Sequence, residues 1–379
     1  MKIVIDHKIP FVKGAFEEKA EVVYLPGDQI GPEEVRDADA LIVRTRTKCN
    51  RALLEGTAVK FIATATIGYD HIDTAWCDAA GIRWTNAPGC NSGSVEQYIV
   101  SVLLYLQGLQ GTDPARHTLG IIGVGNVGSK VARAASILGY NVLLNDPPRA
   151  DKEGDAAFTS LEALLGEADI LTVHVPLSDG GKYPTRNLAG NDFFSSMREG
   201  AVFINTSRGE VVDEAALKMA IRKDKVSDAI LDVFKNEPAV DRELLSMLSI
   251  ATPHIAGYST DGKANGTAMS VRAVSKFFNL GEDHWEPADV PPPAEPEMFV
   301  DGGASGIMDI IRETYKMTYD VSADHERFMD HMDQFEKLRG DYGVRREPSA
   351  YNVRVYNDDG KYREIFEGLR FGVIGDSCF

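Results

Sequence analysis

The stretch His117–Gly128, HTLGIIGVGNVG, decides the fold. Its apolar run LGIIG leads into Gly123-Val124-Gly125-Asn126-Val127-Gly128, and VGSKVARAASILG follows with helical spacing. Strand, glycine turn and helix in that order begin a βαβ unit. The first glycine turns the chain, the second lets backbone approach a pyrophosphate, and the third packs helix on strand. The anion would rest on the helix N-terminus, where unpaired N–H groups and the helix dipole favour negative charge. The next apolar run, NVLLND, ends in Asp146, 18 residues past Gly128. A carboxylate there binds both ribose hydroxyls of NAD and repels the extra phosphate of NADP; Arg149 nearby works against that repulsion. Gly123, Gly125, Asn126, Val127, Gly128 and Asp146 are therefore expected to bind NAD.

Outward from this stretch the same alternation continues. Downstream, ILTVHV, AVFINT and DAILDV are strand candidates, separated by the helical stretches SLEALLGEA and DEAALKMAIRKD. Upstream, KIVID, EVVYLP, ALIVRT, KFIATAT and IRWTN alternate with polar stretches such as GPEEVRDA and NRALLEG. Both halves predict parallel sheets with helices on their faces. Between them SVEQYIVSVLLYLQGLQG reads as a long buried helix joining two lobes, capped by Ser92 or Ser94. Glu96 and Gln97 break it as a membrane span. MSVRAVSKFFNL reads as an amphipathic helix that returns to the first lobe and makes it discontinuous. The acidic, proline-rich EPADVPPPAEPE is a linker. Beyond it, SGIMDIIRETYKM and SADHERFMDHMDQFEKLRG are helical and YNVRVYN and LRFGVIG strand-like, enough for a small domain that needs something to pack on. The expected architecture is α/β: two Rossmann-like parallel-sheet domains and a small C-terminal α+β domain. A substrate (lid) domain takes 1–92 and 256–285, an NAD-binding domain 93–255, and the last domain 286–379.

Composition narrows the function. The 379 residues carry 40 basic against 57 acidic side chains, a formal net charge of -17. That balance disfavours nucleic acid and anionic membrane as main partners. It also means that an anionic substrate must find its positive charge locally. Cys49, Cys77, Cys90 and Cys378 show no metal-ligand spacing, so no metal is expected, and reduced thiols in a cytoplasm are the simplest reading. The opening MKIVIDHKIP reads as a short strand, neither a secretory signal nor a membrane span.

Three residues supply the chemistry. Arg208 follows the run AVFIN, Glu237 follows DAILDV, and His254 lies in IATPHIAGYS. Each falls where a strand ends, which is where ligands bind in doubly wound folds. A carboxylate orients and charges the imidazole, and a guanidinium holds a substrate carboxylate. Beside a dinucleotide site this set points to hydride transfer: His254 takes a hydroxyl proton while the nicotinamide takes the hydride.

IIGVGNVG, His174–Leu177 (HVPL), INTSRGEVVD, LDVFKNEP and TPHIAG, in that order over about residues 1–285, resemble the D-isomer-specific 2-hydroxyacid dehydrogenase family. The resemblance implies that Arg208, Glu237 and His254 are the catalytic set. It implies further cofactor contacts at Val175, Thr206, Ser207, Arg208, Asp232 (facing the nicotinamide end) and Gly257. VRTRTKCN at Val43–Asn50, NDPPRAD, HIAGYSTDGKANGT and the extra C-terminal region resemble a branch of the family that acts on a small phosphorylated hydroxy acid and pairs through a C-terminal dimerisation domain. That likeness implies substrate contacts at Thr45, Thr66 and Tyr258, and a homodimer. Arg44 and Arg46, at a strand end, are expected to supply charge for the phosphate, and Arg345 or Arg346 to reach a neighbouring subunit's site. Relatives acting on phosphoglycerate, glycerate or lactate, and NAD-sensing co-regulators on the same fold, remain alternatives. His71 is expected to be structural, His325 and His331 to lie on a solvated helix face, and Cys90 to be a packing thiol.

Overall fold

Aliphatic runs buried on both faces build the first of two units, Met1–Asn91 with Ser259–Pro291. The computed structural model describes residues 1–111, 113–303, 305–357 and 360–374, so Cys378 lies outside the described residues. The first unit's strands are β1 (Lys2–Asp6), β2 (Glu21–Leu25), β3 (Ala40–Val43), β4 (Phe61–Thr64) and β5 (Arg83–Thr85). All pairings are parallel, in the order β2-β1-β3-β4-β5. Every residue of β3 (ALIV) and β4 (FIAT) is buried, as expected of a parallel sheet covered on both sides.

One covering helix, Thr260–Phe278, starts well before the expected MSVRAVSKFFNL. Ser259 caps it by accepting from the Gly262 N–H at 2.8 Å. Gly262 and Gly266 act as spacers within it. A Cβ at Gly262 would press on Asn91 and one at Gly266 on the Ala65 carbonyl oxygen, 2.7 Å away.

The second unit, Ser92–Tyr258 with Pro292–Phe379, holds a larger sheet. Its strands are β6 (Thr118–Ile122), β7 (Asn141–Asn145), β8 (Ile170–Val173), β9 (Ala201–Asn205), β10 (Val226–Leu231) and β11 (Ile250–Ala251). The order is β11-β10-β9-β8-β6-β7, again all parallel. Alternate side chains enter two cores. Ile121, Ile204 and Ile230 pack with Tyr98, Ile99 and Leu103 of helix Ser92–Gln110. Ile122, Phe203 and Leu231 pack with Leu164, Phe193 and Leu217 on the other face. Helix Ser92–Gln110 includes both serines expected to cap it, and the Ser94 hydroxyl instead donates to the Ala256 carbonyl at 2.8 Å. No helix among the described residues is long and apolar enough to cross a membrane.

Residues 292–379 carry a third sheet within this unit. Its strands β12 (Glu297–Asp301), β13 (Asn352–Tyr356) and β14 (Gly372–Val373) are parallel in chain order. The expected helix 322–340 is two, Val321–Asp330 and Phe335–Gly340, and helix Lys361–Gly368 has no counterpart in the sequence reading.

Candidate active site

Because β6 to β11 all run the same way, their C-terminal ends share one edge. The loops leaving that edge carry Gly123–Gly128, Asp146, Val175, Thr206–Arg208, Glu237 and His254 in turn. β6 lies between β7 and β8, so the glycine turn sits where the strand order reverses.

The turn fits a dinucleotide. Gly123 has φ 87°, a left-handed conformation that costs glycine least. A Cβ at Gly128 would overlap the Gly123 carbonyl, whereas one at Gly125 meets nothing within 4 Å, so the turn is closed beneath and open above. Asp146 Oδ2 accepts from the Val124 N–H at 2.8 Å and Oδ1 from the Arg149 N–H at 3.0 Å, leaving each oxygen a second lone pair for a ribose. Arg149 is tied back: it donates to the Val124 carbonyl at 2.6 Å and to Glu153 at 2.8 and 2.7 Å.

The Arg208 loop is folded by Asn205, a buried side chain that the sequence reading did not single out. Asn205 Oδ1 accepts from the Ser207 N–H at 2.9 Å and the Ser207 hydroxyl at 2.7 Å, and its amide donates to the Arg208 carbonyl at 2.9 Å. Arg208 Nη1 donates to the Ser207 carbonyl at 2.7 Å. Gly209 then lets this loop lie directly against the Phe234–Lys235 backbone, where any Cβ would overlap. Thr206 Oγ1 is 3.4 Å from His174 Nδ1, and His174 Nε2 is 3.0 Å from Thr172 Oγ1. Burial pushes His174 down to about 3, so its ring is neutral.

Glu237 Oε1 accepts from the Phe234 N–H at 2.9 Å, and Oε2 is 2.7 Å from His254 Nδ1. Burial pushes the Glu237 carboxyl up, but the hydrogen bond and charge of His254 outweigh it and leave it below its ordinary value. An ionised carboxylate only accepts, so Nδ1 donates to it, and in the neutral ring Nε2 carries the lone pair. His254 has φ 57°, unusual for a residue with a side chain. Asp232, 1 % exposed, holds that conformation. Its carbonyl accepts from the His254 N–H at 2.8 Å. Its Oδ1 accepts from the Thr252 hydroxyl at 2.6 Å and the Ile255 N–H at 2.8 Å, and its Oδ2 from the Ala256 N–H at 2.9 Å. Burial pushes the Asp232 carboxyl up to about 6 against the pull of His254 and these donors. Gly257 and Tyr258 follow directly, and the Arg339 guanidinium lies 5.4 Å from the Tyr258 ring centre.

In the first unit, Arg44 and Thr45 leave the end of β3 and Thr66 the end of neighbouring β4. Arg44 Nη1 donates to the Lys8 carbonyl at 3.0 Å. Arg46 is exposed and lines a surface depression with Pro32, Lys48 and Leu53. His71 is held as expected, its Nε2 3.1 Å from Thr64 Oγ1. Thr64 Oγ1 in turn lies 2.7 Å from Thr66 Oγ1, which donates to the Gly68 carbonyl at 2.9 Å. A carbonyl cannot donate, so the chain runs from His71 through Thr64 and Thr66 to Gly68. Thr66 in this rotamer therefore offers a ligand a lone pair.

One expectation narrows, from Arg345 or Arg346 to Arg346, and another fails. Arg345 is 4 % exposed and donates to the Ala256 carbonyl of its own chain at 2.6 Å, so it does not reach outward to a neighbouring subunit. His325 is not on a solvated face: its Nδ1 accepts from the Ala251 N–H at 3.0 Å. Neither contact has a local signal, because its partners lie 89 and 74 residues apart.

Comparison with known proteins agrees with this geometry. A family model described as "D-isomer specific 2-hydroxyacid dehydrogenase, NAD binding domain" matches residues 104–256. An erythronate-4-phosphate dehydrogenase of Bacteroides thetaiotaomicron is 53% identical over 354 residues, 93% of this chain and 99% of that one. The crystal structure of a D-lactate dehydrogenase from Aquifex aeolicus complexed with NAD and lactic acid is similar with TM-score 0.59 and 28% identity, covering 77% of this chain and 100% of that one. That of an NAD+-bound 3-phosphoglycerate dehydrogenase from Entamoeba histolytica has TM-score 0.61 and 26% identity, covering 77% and 99%.

Proposed function

The chain belongs to the D-isomer-specific 2-hydroxyacid dehydrogenase family, with NAD as its cofactor, and from that premise we propose that it oxidises 4-phospho-D-erythronate at its 2-hydroxyl. The product is (R)-3-hydroxy-2-oxo-4-phosphooxybutanoate, and the step belongs to pyridoxal 5'-phosphate (vitamin B6) biosynthesis. The observation that carries the chemistry is the 2.7 Å His254–Glu237 pair at the strand ends of a dinucleotide-binding sheet. The substrate follows from the 53% identical relative and its name.

Bound NAD supplies the acceptor for the hydride from C2. His254 Nε2, its other nitrogen held by Glu237, takes the hydroxyl proton as the C–O bond becomes a carbonyl. Glu237 then stabilises the imidazolium, which returns its proton to solvent after release. Arg208, with one N–H tied to Ser207, turns its remaining donors to the substrate carboxylate and the developing carbonyl oxygen. Gly123 to Gly128 and Asp146 hold the pyrophosphate and ribose. Val175, Thr206, Ser207 and Gly257 would make further cofactor contacts, and Asp232 would face its nicotinamide end. Thr45, Thr66 and Tyr258 contact the substrate, Thr66 by accepting from a substrate hydroxyl, and Arg44 supplies charge for the phosphate, with Arg46 in support.

Residues 1–92 and 256–285 form the substrate domain, 93–255 the NAD domain, and 286–379 pair two copies in a homodimer. Phe299 and Tyr356, stacked on β12 and β13 and 62% and 45% exposed, support a partner surface there. Arg346 is the residue left to approach a second copy's site. Free thiols at Cys49 and Cys77 support a cytoplasmic setting.

The test is NADH formation from NAD and 4-phospho-D-erythronate, with the product identified as the 2-oxo acid by mass. NAD binding without turnover of any 2-hydroxy acid would replace this reading with that of an NAD-sensing co-regulator.

A further inference from the structure

The segment Thr252–Ala256 that carries His254 is suspended from two sides. On one side, Asp232 takes its donors: the Thr252 hydroxyl and the N–H groups of His254, Ile255 and Ala256. Thr252 Oγ1 spends its proton on Asp232, so at 2.8 Å it accepts from the buried Tyr98 hydroxyl. On the other side, the Ala256 carbonyl accepts from Ser94 Oγ at 2.8 Å and from Arg345 Nη2 at 2.6 Å, and Arg345 Nη2 also contacts Ser94 Oγ. Ala256 is thus held on both sides of its Cα, at its N–H by Asp232 and at its carbonyl by a residue 89 positions later.

Arg345 is an expensive choice for packing. Its guanidinium lies 4.4 Å from the Tyr319 ring centre and 5.8 Å from that of Tyr342. Its polar neighbours are the Tyr342 hydroxyl and the Asp324 carboxylate to which that hydroxyl donates, and its Nε and Nη1 are buried without a well-aligned acceptor. Cation–π contact offsets part of the desolvation, but an apolar side chain of the same length would fill this space at less cost. What an apolar residue cannot do is donate to the Ala256 carbonyl. The same region also takes up the far end of the segment, where His325 accepts the Ala251 N–H. His254, at φ 57°, needs such restraint to keep its ring on Glu237.

We propose that Arg345 is a positioning residue for His254: by holding the Ala256 carbonyl from behind, the C-terminal region fixes the imidazole in line with Glu237. This rests on the reading of His254 as the proton acceptor. The full-length protein is compared with Arg345→Met and Arg345→Lys by three measurements: single-turnover NADH formation, NAD affinity, and the titration of the His254 ring followed by NMR of labelled histidine.

Arg345→Met is expected to lower the single-turnover rate about ten-fold or more, leave NAD affinity within about two-fold, and move the His254 titration by about half a pH unit. Arg345→Lys, which keeps a donor, is expected to recover much of both losses. An Arg345→Met protein that melts like wild type and keeps the wild-type rate and titration overturns the proposal. So does a loss of NAD affinity in step with rate. Should Arg345→Met fail to fold, Ser94→Ala removes the other donor to the same carbonyl. It is expected to shift rate and titration in the same direction, by about two- to five-fold in rate, and a Ser94→Ala protein with wild-type rate and titration overturns the proposal. If wild type does not oxidise 4-phospho-D-erythronate, the substrate reading fails, and the His254 titration still decides the role of Arg345.

Discussion

The two larger sheets share a plan and differ at one turn. Both begin with a strand flanked by the second and third, β2-β1-β3 in one unit and β7-β6-β8 in the other. After β6 the chain runs Gly-Val-Gly-Asn-Val-Gly, open above Gly125. After β1 it runs His7-Lys8-Ile9-Pro10: the Lys8 N–H is bound by Asp6 Oδ1 at 2.9 Å, and its carbonyl receives Arg44. One turn leaves open space above Gly125 for a ligand, and the other has its Lys8 backbone bound on both sides by side chains of its own unit. The same topology therefore yields a dinucleotide site in one unit and, in the proposed function, an anion site built from side chains in the other.

The comparison is open to attack by mutation. The largest effect belongs to the second unit's acid/base pair. His254→Ala should lower kcat by about a thousand-fold while NAD affinity stays within about two-fold; a parallel loss of NAD binding would show that His254 holds the cofactor. Next is the turn itself. Gly125→Val puts side chain into the open space above it and should weaken NAD about thirty-fold by equilibrium titration, with melting little changed. In the first unit the dependence reverses: Arg44→Ala should raise KM for the phosphorylated substrate about ten-fold and leave NAD affinity untouched. A change in NAD affinity there would erase the division of labour.

The smallest effect concerns stability. His174 keeps its ring neutral in the fold, its value pushed down to about 3 from 6.5. Above 6.5 neither the folded nor the unfolded state binds the proton. Below it the unfolded chain takes up a proton that the fold refuses, and stability drains away until the pH falls past the folded value. His174 should thus cost about 1 kcal/mol over the first pH unit below 6.5. His174→Asn should flatten that slope in urea titrations by the same amount, and an unchanged slope would mean that the ring is protonated in the fold.

The strands of both large sheets were legible because fully buried parallel strands are plain apolar runs, and the loops of the site because they follow those runs. Helix Thr260–Phe278 was half hidden because its first half carries Gly262 and Gly266, poor helix formers that here permit close backbone approach. Strand Glu297–Asp301 was hidden by the prolines before it, and helix Lys361–Gly368 by its charge and the glycine that begins it. At the site, Arg208, Glu237 and His254 stood out as charged residues at strand ends. Asn205 did not, and Ser94 and Arg345 were read for other roles, as a helix cap and as a reach to a neighbouring subunit, because a side chain that binds distant backbone leaves no spacing to find. Asp232 was assigned toward the cofactor from a likeness, and what its geometry adds is the anchoring of four donors beneath His254.

The most direct test of the account is a single-turnover reaction with 4-phospho-D-erythronate deuterated at C2, set beside D-3-phosphoglycerate and D-lactate, in wild type and His254→Gln. The account predicts that deuterium passes to NADH from the first substrate, with a primary isotope effect, and that His254→Gln abolishes this while still binding NAD. Deuterium-free NADH, equal use of D-lactate, or full rate in His254→Gln would contradict it.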